Sequence, residues 1–337
     1  MAVVTILGAG AMGSALTIPL SDRGHEVRLW FTEFDVGILR EVSERKPHPR
    51  LGIRLPEEVK LYPPEKLEEA VSGADYVVVA VSSRGVLPVS RKLRGLLDSR
   101  VPVVVVAKGV EVVEGRPRTM TDIVEEYAGS KSVVYVSGPS LAAELARRVP
   151  TFVVYSSRDL GTALKVKQAF ETEYYRIEVS DDVLGAELSA ALKNVYAIAF
   201  GIVRGLCKAD SCRNLEASVL SYALAEIAKV IEACGGKRET AYSLSGVGDL
   251  YVTAMGGRNS AFGALVGGGL SPREALEEMR KRGVGVVEGY LNAPTLASLL
   301  SERGVGRDVA PLFYAVYDVL YEGAEPTIIV NTLTARA

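Results

Sequence analysis

The sequence is poor in the side chains that bind metals or form covalent frameworks. It holds two histidines, His25 and His48, and three cysteines, Cys207, Cys212 and Cys234, among 337 residues. No cysteine pair has C-x-x-C spacing, so a histidine or cysteine metal cluster lacks material and no metal is expected. An odd thiol count suits free thiols in a reducing compartment, although Cys207 and Cys212 flank a short polar stretch and are placed to bridge where intracellular disulfides occur. Neither sign of charge is in excess. With 39 basic and 41 acidic residues, net -2, the chain lacks the basic stripe that grips a phosphate backbone, and no nucleic-acid partner is expected. No run of 18 apolar residues is free of charge, and Met1 leads into Val3-Val4-Thr5-Ile6-Leu7 without a basic leader or cleavage site. Neither membrane insertion nor export is expected, and the protein reads as cytoplasmic. Internal repeats and low-complexity tracts are missing too.

What is there is a globular composition, 48% hydrophobic and 24% charged, at a length that suggests about two domains. β-Branched runs predict strands at Val3 to Leu7, Glu26 to Trp30, Tyr76 to Val81, Val101 to Ala107 and Val133 to Val136, with amphipathic helical stretches between them. That alternation implies an α/β, doubly wound, Rossmann-type parallel sheet. Val77 to Val81 and Val103 to Val106 are continuously apolar, as strands covered on both faces are. Beyond Ser180 helical patterns take over: Leu184 to Val203, Leu215 to Cys234, Pro272 to Lys281, Ala293 to Ser301 and Val309 to Tyr321. The expectation is therefore residues 1–181 as a dinucleotide-binding domain and 182–337 as an all-helical substrate domain.

Gly8-Ala9-Gly10-Ala11-Met12-Gly13 follows the first strand and opens a helix, the context a dinucleotide-binding glycine pattern requires. Gly8 permits the tight turn, Gly10 lets backbone N–H groups approach a pyrophosphate, and Gly13 allows helix and strand to pack closely. About 20 residues on, Glu33 is placed to hold ribose hydroxyls, as in NAD binding. Arg50, with Lys46 nearby, is placed to neutralise the 2'-phosphate of NADP. Both cofactors stay open.

Lys193 lies in a helix apolar nearly all round, which must be buried. A buried lysine needs a partner, and desolvation moves its pKa toward the range suited to acid–base work. The bland alternative is a lysine that snorkels to water. Ala190 and Ala197 would leave room for a ligand on its face. Ser137-Gly138-Pro139-Ser140 follows a strand, with Gly138 to turn the chain, Pro139 at a first helical position and the Ser140 hydroxyl facing a polar ligand; a bare helix cap is the alternative. Lys108, at the carboxyl end of a parallel strand, lies where ligands of such sheets collect, or is a solvated loop lysine. Ser245-Gly246-Val247-Gly248-Asp249-Leu250 precedes Gly256-Gly257-Arg258-Asn259, where Gly257 allows close approach and Arg258 with Asn259 offers forked donors to a phosphate. Asp249 would orient a lysine or accept from a substrate hydroxyl. Each alone is as well explained by a loop turn or a surface ion pair. Together they suggest a small hydroxylated phosphate ester.

In these motifs, and in Lys108-Gly109, Ala191-Leu192-Lys193-Asn194-Val195 and Val286-Val287-Glu288-Gly289-Tyr290, the chain resembles the soluble NAD(P)-dependent glycerol-3-phosphate dehydrogenases over nearly its full length. The resemblance implies interconversion of sn-glycerol 3-phosphate and dihydroxyacetone phosphate with NAD or NADP, and Lys193 as the catalytic acid–base. It implies substrate contacts from Lys108, Gly138, Ser140, Asp249, Gly257, Arg258 and Asn259. Cofactor contacts are implied at Ala11, Met12, Thr32, Lys108, Ala142, Arg258, Val286 and Glu288. Two positions depart from the usual pattern: Ala11-Met12 replaces the Ser-Tyr-like pair of bacterial members, and Gly257 stands where serine is common. The rivals are a lysine-dependent reductase acting on a 2-ketoacid or hydroxy acid, and a cofactor-sensing protein without turnover. Phe313, Tyr317 and Tyr321 along one helix side suit either a two-fold interface in a homodimer or packing in the core.

Overall fold

The computed structural model describes residues 1–207 and 212–335. The chain divides into two compact units, one of Met1–Lys108 with Thr119–Val183, the other of Gly109–Arg118 with Leu184 onward. The division expected at 181/182 therefore differs chiefly in the ten residues that leave the first half for the second unit.

The first unit is built on an eight-stranded sheet. Its strands are β1 (Val3–Leu7), β2 (Glu26–Trp30), β3 (Lys60–Tyr62), β4 (Tyr76–Val79), β5 (Val103–Val105), β8 (Val133–Ser137), β9 (Thr151–Ser156) and β10 (Tyr175–Ser180), in the order β10-β9-β8-β5-β4-β1-β2-β3. The missing numbers, β6 (Val110–Val113) and β7 (Arg116–Thr119), form a separate two-stranded sheet. From β3 through β8 every pairing is parallel, and the chain reverses its direction of travel between β1 and β4. That switch point opens the crevice where such sheets bind ligands. Val77, Val78, Val79 and Val103 to Val105 are fully buried, because helices cover both faces. Helix α1 (Ala11–Asp22) follows β1 and α2 (Val36–Ser43) follows β2.

One correction concerns strand direction: β9 runs antiparallel to β8, and β10 is parallel to β9. The link from β8 to β9 carries only the four-residue helix Ala142–Leu145, too little to carry the chain back along the sheet for a parallel crossover.

The second unit packs around α3 (Val183–Leu206), with α4 (Arg213–Ala233), α5 (Asp249–Gly256), α6 (Arg258–Gly267) and α7 (Glu288–Glu302). Helix α3 is long and apolar enough to cross a membrane, with an 18-residue window of mean hydropathy 1.3, yet that whole window is buried inside the protein. Its partner α6 approaches backbone to backbone. A methyl group built on Gly201 would lie 2.0 Å from the Ser260 carbonyl oxygen, and one on Gly205 2.3 Å from that of Ala264. From the other side, methyl groups built on Gly263 and Gly267 would lie 2.2 and 2.0 Å from the carbonyl oxygens of Ile198 and Ile202. Four glycines thus let two helices cross closer than side chains would permit.

The second unit is not all helical. The β6–β7 hairpin turns at Glu114 and Gly115, both with positive φ (53° and 77°), as a two-residue hairpin turn requires. Val110 joins this unit's core, and Gly109 lies against the Asn292 amide of α7. Of the side that carries the dimer expectation, Phe313 is fully buried, while Tyr317 and Tyr321 are partly buried, Tyr321 stacking on Tyr290 with ring centroids 5.1 Å apart and donating to the Tyr290 carbonyl. Cys207 and Cys212 form a disulfide across a Cα separation of 6.1 Å, not the free thiols expected, and residues 208–211 between them lie outside the described residues. Only Cys234 stays a thiol, and burial pushes its pKa up.

The helix crossing makes a testable distinction among glycines. Gly263→Ala should destabilise the protein by about 1–3 kcal/mol in urea unfolding, through overpacking. Gly37, in α2 with open space around it, should tolerate alanine or gain up to about 1 kcal/mol. Equal effects at both positions would refute the close crossing.

Candidate functional site

In the first unit the glycine turn is the best-defined feature. Gly8 adopts φ +105°, and a methyl group built on it would lie 2.8 Å from Val81 Cγ1. One built on Gly13 would lie 2.0 Å from the Gly8 carbonyl oxygen, so only glycine lets α1 enter this close to β1. Gly10 is open, meeting Arg50 Nη1 alone, 3.9 Å from where a Cβ would stand. The N–H groups of Ala11, Met12 and Gly13 precede the first bond into the helix, from Ser14 N–H to the Gly10 carbonyl at 3.0 Å. No side chain caps that end. A row of backbone donors at the positive end of a helix, beside an open glycine, fits the pyrophosphate of a dinucleotide.

The turn is held from the β2 side. Ala9 N–H donates to Asp35 Oδ2 at 3.4 Å, and the Ala9 carbonyl accepts from His48 Nε2 and Ser14 Oγ, each at 3.1 Å. Thr32, an expected cofactor contact, donates its hydroxyl to Asp35 Oδ2 at 2.6 Å and accepts from Phe34 N–H at 3.3 Å. Glu33, the expected ribose acid, instead pairs with Lys92 at 2.6 Å. That hydrogen bond holds its carboxyl below the usual carboxylate range.

At the carboxyl ends of β5 and β8, Lys108 Nζ donates to the Gly138 carbonyl at 3.5 Å. Gly138 turns the chain with φ +99°. Pro139 does not begin a helix; the next one starts at Ala142, and Leu141 rather than Ser140 precedes it. Ser140 is therefore no helix cap. Its buried Oγ has no partner among the described residues, and it borders a cavity of about 30 Å³ together with Met12, Lys108, Gly138 and Tyr175. Ala11, Met12 and Ala142 pack against the same core.

In the second unit Lys193 does not snorkel: it is 6% exposed. Its Nζ donates to the Asp249 carboxylate and, at 2.9 Å, to Thr253 Oγ1. Both partners stand on α5, four residues apart, and Thr253 donates in turn to the Asp249 backbone carbonyl at 2.7 Å. Asp249 is 1% exposed, so each charge is tolerable in the interior only because of the other. Ala190 and Ala197 are fully covered, and the room expected at those positions is filled.

A second polar chain runs beside it. Asn259 Nδ2 donates to Asn194 Oδ1 at 2.9 Å, and Asn259 Oδ1 accepts from Gly289 N–H at 2.9 Å. In Asn259, the expected phosphate contact, Oδ1 and one of the two Nδ2 hydrogens are thus engaged within the protein. Arg258, half exposed, opens α6 and lies 3.8 Å from Glu288, with Gly285 close to its guanidinium and Val286 exposed nearby in sequence. Gly257 serves the backbone: a methyl group there would lie 2.5 Å from the Thr253 carbonyl.

The structure thus gathers Gly8, Gly10, Ala11, Met12, Gly13, Thr32 and Arg50 around one turn. Lys108, Gly138 and Ser140 follow strand ends of the same unit, with Ala142 opening the next helix, and Lys193, Asp249, Arg258, Asn259 and Glu288 stand on helices of the other, with Gly257 between two of them. Sequence reasoning missed Asp35, His48, Asn194 and Thr253. Thr253 carried a usable signal, its helical spacing from Asp249; Asp35 and His48 carried none, because they answer to backbone atoms of Ala9.

Family models described as NAD-dependent glycerol-3-phosphate dehydrogenase N-terminus and C-terminus match residues 3–163 and 182–331. The chain is 44% identical over 328 residues, 95% of its length and 96% of the other's, to a protein of Archaeoglobus fulgidus named NADP(+)-dependent glycerol-3-phosphate dehydrogenase. It is 36% identical to a glycerol-3-phosphate dehydrogenase (NAD(P)+) of a Thermoanaerobacter species, over 99% and 97% of the two chains. The crystal structure of glycerol-3-phosphate dehydrogenase from Coxiella burnetii matches with a TM-score of 0.85 at 29% identity, covering 99% of this chain and 98% of that one. A 2-dehydropantoate 2-reductase from Geobacter metallireducens shares the fold alone, at TM-score 0.59 and 15% identity. Both halves match in order across almost the whole length, and the chain belongs to the NAD-dependent glycerol-3-phosphate dehydrogenase family.

Proposed function

We propose that this protein interconverts sn-glycerol 3-phosphate and dihydroxyacetone phosphate, with Lys193 as the proton acceptor and donor. The observation that carries the reading is the buried Lys193 amine, held by Asp249 and Thr253, in a chain whose other unit presents an uncapped helix end at an open glycine. A bound nicotinamide, its pyrophosphate held at the glycine turn of residues 8–13, would supply the hydride acceptor and donor for C2 of the glycerol. As the C2–H bond breaks, Lys193 in its amine form takes the hydroxyl proton, and the C2–O bond becomes a carbonyl. In the reverse direction its ammonium returns that proton. Asp249 and Thr253 fix where Nζ sits, so little reorganisation accompanies transfer. Lys108 serves the oxygen that gains charge. Arg258, the first-turn N–H groups of α6 and the second Nδ2 hydrogen of Asn259 suit the phosphate, while the other amide atoms of Asn259 hold the α6 entry against Asn194 and Gly289. Substrates of this kind belong to the cytoplasm and to the supply of glycerophospholipid backbones.

For the cofactor we favour NADP. Glu33 is engaged by Lys92, whereas Arg50 reaches the open side of Gly10 and offers a forked, permanently charged donor to a 2'-phosphate.

Steady-state kinetics with both cofactors, in both directions, tests the reading, with 2-hydroxy acids as the rival substrates. Turnover of those acids in preference to glycerol 3-phosphate would overturn it, as would nucleotide binding with no substrate-dependent absorbance change at 340 nm. Lys193→Ala should cost roughly 10²-fold or more in kcat while cofactor binding survives; near-normal turnover would remove its assigned role. Arg50→Ala should raise KM for NADP while that for NAD changes little, and retained NADP preference would dismiss the arginine. Asp249→Ala, which strands a buried ammonium, should lower stability by about 3–5 kcal/mol in urea unfolding.

A further inference from the structure

We propose that His48 is a positioning residue for adenosine 2'-phosphate selectivity, holding the Arg50 segment against the glycine turn. The inference rests on the cofactor reading above and deepens it. His48 is fully buried, and both ring nitrogens are used. Nε2 faces the Ala9 carbonyl at 3.1 Å, and Nδ1 faces the Arg50 backbone N–H at 3.2 Å. A carbonyl can only accept and an amide N–H can only donate, so one arrangement satisfies both: a neutral ring protonated at Nε2. Burial favours that neutral form by pushing the pKa down.

The ring is thereby a rivet between two backbones. On one side is Ala9, inside the glycine turn and also gripped by Asp35 and Ser14. On the other is a closed loop that His48 anchors with its own backbone, its N–H donating to the Ile53 carbonyl at 2.7 Å and its carbonyl accepting from Leu51 and Gly52 N–H at 3.1 and 2.8 Å. Arg50 rides on that loop, exposed, with Nη1 at the open face of Gly10. An exposed arginine loses rotamer freedom when it grips a ligand. Fixing its backbone beforehand reduces what binding must order.

The test is direct binding, by calorimetry, of adenosine 2',5'-bisphosphate and of adenosine 5'-diphosphate, with melting curves for each variant. His48→Ala and His48→Phe, of different size so that one keeps the fold, should each lower the affinity ratio of the first probe to the second about tenfold, the scale of one or two lost hydrogen bonds. His48→Gln, whose amide can donate to Ala9 and accept from Arg50, should recover most of the ratio. In an Arg50→Ala background the His48 changes should shift it no further. Equal loss for both probes, or an undiminished second loss without Arg50, would overturn the assignment while leaving the dinucleotide reading intact. A wild-type protein that binds neither probe would overturn both.

Discussion

Two helices meeting without side chains between them set the geometry of the second unit. Gly201 and Gly205 on α3 and Gly263 and Gly267 on α6 bring the backbones into direct contact, and the consequence is positional. Arg258 and Asn259 open α6; Lys193 and Asn194 lie about two turns before Gly201 on α3. The Asn259–Asn194 and Asn259–Gly289 hydrogen bonds then tie the entry of α6 to α3 and α7 together. A functional group mounted on such rigid elements is placed more accurately than one on a loop. The buried Lys193–Asp249 pair fits this frame. Such a pair contributes little net stability, so its presence is better explained by where it keeps an amine than by how firmly it holds the fold.

Much of this was legible in the sequence, and the limits have physical causes. Val3 to Leu7 and Glu26 to Trp30 are strands with the expected bounds, the second showing the alternation of a half-buried strand, while Val77 to Val79 and Val103 to Val105 are continuously apolar because they are buried on both faces. Lys193 stood out because charge in an all-apolar helix is costly. The direction of β9 was not legible, since apolar patterning records which face is buried and not which way the chain runs. Nor was the β6–β7 hairpin, whose four-residue strands include Arg116 and Arg118 and whose packing partner, α7, comes far later in the chain. The same distance explains Tyr321, whose exposed-looking helix side finds Tyr290 only in three dimensions.

Asn259 and Ser140 show what folding adds to residue type. Both were expected to meet a ligand through polar side-chain atoms. Folding supplies Asn259 with a donor and an acceptor and leaves the Ser140 oxygen buried and unpartnered among the described residues. Buried polar groups without partners are rare because each costs desolvation free energy that no bond returns. The groups that folding leaves unanswered are therefore the better guide to where a ligand belongs. In the first unit that criterion separates neighbours on one turn. Ala9 has both backbone groups engaged, by Asp35 and by His48 with Ser14, and is part of the support. Ala11, Met12 and Gly13, beyond the open Gly10, lie ahead of the first intrahelical bond and present their N–H groups to whatever binds. The clamp and the cradle are adjacent residues with opposite hydrogen-bond status, and the first exists so that the second has a fixed place to stand.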